Sequence, residues 1–128
     1  DVITKEDLKK STAMKQYVDQ LKSSNVFVDS LSLGKTKFMG LIRLDKKKPV
    51  RHIDIRLFPS ESRVSALLHF TGSADTNKMM RSQAIKFGYV LSEYGLFKSR
   101  DKKSSFELKE EKDVFDLLGL KYMKPCER

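Results

Sequence analysis

The sequence predicts an α+β fold, with a mainly antiparallel sheet packed by helices and a small α+β C-terminal part after it. Three observations carry this prediction. Leu8, Met14, Val18 and Leu21 fall near helical spacing among Lys, Asp and Gln, the signature of an amphipathic helix. Residues 26–57 hold three β-rich runs separated by turn residues. Beyond Gly72-Ser73 a further helical pattern gives way to several short strands.

Taken in order, residues 6–22 read as a helix that packs one face. Residues 26–31, 37–44 and 50–57 read as strands, and the polar run Asp45-Lys46-Lys47-Lys48-Pro49 between the last two reads as a hairpin loop. This makes a three-stranded antiparallel unit carrying one helix. Pro59 breaks the third strand, and residues 61–70 form a helix of Val64, Leu67 and Leu68 ended by Gly72. Residues 73–87 form the next helix, with Met79, Met80 and Ile85 inward and Lys78, Arg81 and Lys86 outward, stopped by Gly88. Short strands near 89–91, 95–98 and 105–108 follow, with the charged loop 98–104 between the last two and a short helix at 110–118. No repeat interrupts this order, and the Gly72-Ser73 junction divides the chain into 1–72 and 73–128.

The 128 residues, 39% of them hydrophobic, suffice for one modest domain or two small subdomains. The net charge of +9 points to a polyanionic partner, and by itself fits nucleic acid, an acidic protein or an anionic membrane surface; both parts share it. Residues 1–72 carry 14 basic and 8 acidic residues, hence +6, and residues 73–128 carry 12 and 9, hence +3. Cys126 is the single cysteine, which excludes an intramolecular disulfide and a cysteine-based zinc site and points to a reducing compartment. No apolar run approaches the roughly 20 residues that span a bilayer, so no membrane partner is expected. The chain begins at Asp1 without Met, as expected of a segment lacking its upstream part or of a processed chain.

The run Arg51-His52-Ile53-Asp54-Ile55-Arg56-Leu57 singles itself out. Period-2 alternation puts Ile53, Ile55 and Leu57 on one face and Asp54 with Arg56 on the other. A carboxylate held there could ligate a divalent metal, or form ion pairs on a solvated strand; spacing leaves both readings open.

Further segments stand in a telling order: 31–40 (LSLGKTKFMG), the Asp54 strand, His69-Phe70-Thr71-Gly72-Ser73, Asn77-Lys78-Met79-Met80-Arg81, Ser92-Glu93-Tyr94-Gly95-Leu96, Glu111-Lys112-Asp113-Val114-Phe115, and Leu118-Gly119-Leu120-Lys121-Tyr122. Together they resemble the C-terminal half of a family X DNA polymerase of the beta type, over nearly the whole chain. The resemblance implies a partial palm subdomain, N-terminally truncated, over 1–72 and a C-terminal subdomain for nucleotide and template over 73–128. It makes Asp54 the third carboxylate of a two-metal site, with Asp1 as a match to the second; the first has no match here. The ions would be Mg²⁺, two in the full enzyme, with Mn²⁺ as a substitute.

The same resemblance assigns the other residues. Arg56 becomes a conformational switch that pairs either with a metal-binding acid or with Glu93, although the same pair could be a fixed salt bridge. His69 and Phe70 form the floor under the incoming sugar, and Gly72 belongs to a turn whose Gly-Ser peptide is often cis in this family. Asn77 meets the incoming base, Lys78 the templating base, and Arg81 the template minor groove, while Glu93 and Tyr94 join the DNA-binding set. A solvated helix face would use the same residue types as Asn77, Lys78 and Arg81. Lys35, Thr36 and Lys37 contact phosphates, a role that Lys46, Lys47 and Lys48 could share. Three residues depart from the pattern that the resemblance implies: His52 stands where it has an arginine, His69 where it usually has a tyrosine, and Ala74 where it has an aspartate that stacks on the nucleotide.

The implied function is a DNA-directed DNA polymerase that transfers deoxynucleotides to a 3′ hydroxyl by two-metal phosphoryl transfer, in gap-filling repair. Its partners would be gapped or primed duplex DNA and a deoxynucleoside triphosphate, and the protein would be a monomer. The expected location is intracellular, the nucleus first, with the mitochondrion or a viral particle as alternatives. These 128 residues are expected to be inactive alone. The alternative, of another class, is a non-catalytic DNA-binding module or scaffold that retains the fold.

Overall fold

A computed structural model describes residues 2–4 and 12–128. It divides into two units, one ending at Ser60 and the other running from Glu61 to Arg128. This division falls before the Gly72-Ser73 junction, because the helix ahead of that junction gives its buried Leu68 to the second unit's core, with Met80, Leu96 and Phe115.

The first unit is a four-stranded sheet in the order β1-β4-β3-β2, built from β1 (Val2–Thr4), β2 (Phe27–Leu33), β3 (Lys37–Ile42) and β4 (Arg51–Pro59). The three antiparallel strands expected from the sequence are present. To them β1 adds a parallel edge, pairing Val2 with Leu57 and Thr4 with Pro59; three residues are too few to announce a strand. Pairing of β2 with β3 is interrupted by two register shifts. Helix α1 (Ala13–Ser23) covers the sheet, and part of the expected helix, with Leu8, lies outside the described residues.

Alternation along β4 sends Ile55 and Leu57 into a core with Met14, Val18 and Phe38. Each such side chain contributes roughly 1.5–3 kcal/mol through burial. Gly40 sits mid-strand because a Cβ there would collide with the Phe38 ring and come within 2.9 Å of the Asp29 carbonyl oxygen.

The second unit contains α2 (Arg63–Thr71), α3 (Ala74–Lys86), the hairpin β5 (Val90–Ser92) and β6 (Gly95–Phe97), and α4 (Glu111–Leu117). Gly72, at φ +73°, caps α2, and its peptide bond to Ser73 is cis. Ser73 Oγ then caps α3 by accepting from the Thr76 amide at 3.3 Å. The buried stripe of α3 is Thr76, Met80 and Ala84, an i, i+4, i+8 row. Of the three residues expected inward only Met80 is buried, whereas Met79 and Ile85 are 40% and 64% exposed, since they stand off that row.

The strand expected at 105–108 reduces to a single bridge between Phe97 and Ser105. There the chain leaves the hairpin to start α4, where the Asp113 carboxylate accepts the Lys109 and Glu110 amides at 2.8 and 3.0 Å. After α4, Arg128 folds back over Phe115 and Tyr122 and meets Glu111 at 2.7 Å. No described helix is long and apolar enough to cross a membrane.

Candidate functional site

The sheet unit presents Asp54 on the face opposite α1. Residues directly opposed across two strands share a face, so the register that pairs Lys37 with Arg56, Met39 with Asp54 and Leu41 with His52 puts all six on this side. The Asp54 side chain is about half exposed and pairs with His52 Nδ1 at 3.4 Å. Arg56 lies two residues on, its guanidinium 5.2 Å from the centre of the Phe58 ring. The result is one carboxylate on a face shared with Lys37, His52 and Arg56, a charge pattern suited to anionic groups brought in beside a cation.

Lys35 and Thr36 occupy the turn before β3, closed by a hydrogen bond from the Gly34 amide to the Lys37 carbonyl at 2.8 Å. Lys35, Thr36 and Lys37 are all exposed. The triplet Lys46, Lys47 and Lys48 is exposed in the β3–β4 loop, where its charges are solvated.

Among the described residues no three His, Cys, Asp or Glu side chains cluster as a metal site would require. Asp54 supplies one carboxylate, and one does not hold two metals. Asp1 lies outside the described residues.

The second unit joins the end of α2 to the first half of α3. Asn77 Nδ2 donates to the His69 carbonyl at 2.8 Å, and Arg81 Nη2 lies 3.2 Å from His69 Nδ1. The i, i+4 relation expected of Asn77 and Arg81 therefore becomes a shared grip on one histidine. Arg81 also reaches Glu93 Oε2 at 3.6 Å, so its guanidinium is held between α2 and the β5–β6 turn. Lys78, one position round the helix, is exposed. Phe70 is 45% exposed and stands edge-on to the His69 ring, with centroids 4.8 Å apart.

A small recess beneath this network is lined by Ser65, Leu68, His69, Asn77, Arg81, Leu91 and Ser92. Ser65 and Ser92 are members that sequence reasoning missed, and their residue types give no signal. The tie from Ser62 Oγ to the Tyr94 carbonyl at 2.8 Å, which anchors the turn bearing Glu93, was equally invisible. Tyr94 itself is 47% exposed.

Residues 1–60 match the DNA polymerase beta palm family and residues 66–128 the DNA polymerase beta thumb family. The chain belongs to family X of the DNA polymerases. Rat DNA polymerase lambda is 38% identical to this family X chain over 102 residues, which cover 72% of the chain and 18% of the relative. A solved structure titled as a ternary P/T complex of Leishmania infantum polymerase beta superposes with a TM-score of 0.87 at 33% identity, over 95% of this chain and 54% of that one. The ternary gap complex of the same polymerase gives 0.86 at 31% identity, over 95% and 51%. The chain thus spans about a fifth of the rat relative and about half of the polymerase beta chains. Family X polymerases depend on metal, and both family matches meet close to the division between the two units.

Proposed function

We propose that the protein is a DNA polymerase that adds deoxynucleotides to a 3′ hydroxyl in gapped or primed duplex DNA, in gap-filling repair. The carrying observation is the His69 network: one residue at the end of α2 fixes both Asn77 and Arg81 of α3 and leaves Lys78 exposed beside them. Polar groups held in this way can test the shape of a base pair from the minor groove, where the acceptors are common to all pairs. In this reading Asn77 meets the incoming base, Lys78 and Arg81 the template, and Glu93 and Tyr94 support the DNA contact. His69 and Phe70 form the floor under the sugar, and Gly72 belongs to the nucleotide-binding turn beside them.

Asp54 is the sheet unit's part in this function, one carboxylate toward Mg²⁺, with Mn²⁺ as a substitute; Asp1 is proposed as a second. Bound metal would activate the primer hydroxyl and neutralise the triphosphate. Lys35, Thr36 and Lys37 position the duplex through phosphates, and Arg56 and Glu93 are the residues proposed for the conformational switch. The protein acts as a monomer in a reducing intracellular compartment, the nucleus first. These 128 residues contain no Asp-x-Asp pair and are proposed to be inactive alone.

The test is primer extension on a one-nucleotide gap by the protein expressed from its full reading frame, with a deoxynucleoside triphosphate and Mg²⁺. Extension that Asp54→Ala abolishes, with DNA binding retained, supports the reading. Tight DNA binding without extension under any divalent cation would instead make the protein a scaffold.

A further inference from the structure

The far end of α3 carries a second set of surface groups that the polymerase reading does not use. Ile85 is 64% and Phe87 50% exposed, an unusual pair to leave in water at a helix end. Gly88, at φ +76°, reverses the chain so that Tyr89 stacks on Phe87, with ring planes 14° apart and centroids at 5.9 Å. Tyr89 in turn meets Phe106 edge-on at 5.0 Å, and Lys98 Nζ lies 5.2 Å from the centre of the Phe106 ring. Three aromatic rings therefore run in sequence, and the outermost is half open to solvent.

Cations stand beside them. Ile85, Gly88, Tyr89 and Val90 line a recess of about 380 Å³ together with Arg100 and Lys102, a volume typical of ligand sites. The loop 98–103 holds Lys98, Arg100, Lys102 and Lys103 against Asp101 alone, four positive charges less one, hence +3. Asp101 is turned onto its own loop, where it accepts from Ser99 Oγ and from the Lys103 amide.

We propose that this end of α3 and the loop 98–104 form a second nucleic-acid contact, which holds an unpaired strand of DNA by stacking a base on Phe87 and pairing phosphates with Arg100 and Lys102. Cationic grooves interleaved with aromatic faces bind single strands in this way, since every base has a π-face. A duplex hides those faces and an acidic peptide has no base to stack, so the open ring favours the single strand. The contact is separate from the one at Lys78. Nine residues of helical rise put Phe87 about 13 Å along the axis.

Fluorescence anisotropy of a short labelled oligothymidine, titrated with the full protein across a series of KCl concentrations, tests the inference. Arg100→Ala combined with Lys102→Ala should lower the slope of log affinity against log salt by about 1.4, which is 0.7 for each phosphate no longer neutralised. Phe87→Ala should weaken binding about fivefold or more at fixed salt. Phe87→Leu keeps apolar volume but removes the π-face, and should weaken binding similarly, which separates stacking from misfolding. Unchanged affinity and slope in these variants would overturn the proposal. A loss confined to Lys78→Ala with Arg81→Ala would also overturn it, while leaving the polymerase reading intact. Binding of a polyglutamate peptide that the Arg100 and Lys102 changes abolish, with oligothymidine binding unaffected, would assign the surface to an acidic protein instead.

Discussion

The sheet unit and the helical unit hold their polar groups in opposite ways. Asp54 on β4 is half exposed, paired with an imidazole at 3.4 Å, and shares its face with basic side chains. Asn77 and Arg81 are instead both tied to His69, and Arg81 also to Glu93, across α2, α3 and the β5–β6 turn. The contrast separates two kinds of chemistry. A lightly engaged carboxylate is available to an arriving cation, whereas donors held by neighbours are preset for a shape and lose little freedom when they meet it.

The largest effects should test whether the two units are distinct cores. Phe38 and Phe115 are both fully buried, and each change to Ala should cost about 3–5 kcal/mol in chemical denaturation. Hydrogen exchange should then accelerate first over β2–β4 for Phe38→Ala and over α2–α4 for Phe115→Ala. Acceleration spread evenly along the chain in both variants would erase the division.

A somewhat smaller loss should sharpen the contrast from the helical side. Glu111→Ala leaves the fully buried Arg128 side chain without its carboxylate, and breaking a buried pair in this way costs about 3 kcal/mol. A thermal melt that barely moves would mean that the pair is effectively solvated, like the one at His52 and Asp54.

The smallest expected effect is a local pH dependence at the start of α4. Hydrogen bonds from the Glu110 and Lys109 amides hold the Asp113 carboxyl below the ordinary carboxylate value. A carboxyl lowered in the folded state stabilises above its unfolded pKa, near 3.8, and that contribution is lost as pH falls further through the lowered folded value. Protection of the Lys109 and Glu110 amides, relative to the unfolded-chain rate at each pH, should therefore fall below about pH 3.8, and Asp113→Asn should flatten the profile. Equal loss of protection throughout the chain would tie the change to global unfolding.

The sheet unit was the more legible of the two. Alternation through Ile53, Ile55 and Leu57 gave the strand and the face of Asp54 without help, because a period of two leaves a side chain little choice. The edge strand β1 was not legible, since its pairing with β4 is long-range and three residues carry no period. In the helical unit the caps Gly72 and Ser73 could be read from their types. Yet Met79 and Ile85 deceived, because an apolar side chain on a short helix is buried only where a neighbour covers it. The His69 network joins residues 8, 12 and 24 apart through hydrogen bonds and ion pairing, and no local pattern encodes such ties. Family resemblance marked Asn77, Arg81 and His69, but as separate contacts, not as a histidine that holds the other two.

Single-nucleotide insertion kinetics on gapped DNA, with Asp54→Asn and Arg81→Ala measured in parallel in the protein from its full reading frame, tests the central contrast most directly. Asp54→Asn should lower kcat on the order of a thousandfold, the several kcal/mol that a metal supplies to developing charge, with DNA affinity unchanged. Arg81→Ala should raise KM and reduce discrimination against the wrong nucleotide about tenfold, near the 1–3 kcal/mol of one good groove contact. An Asp54→Asn protein with undiminished kcat would contradict the account.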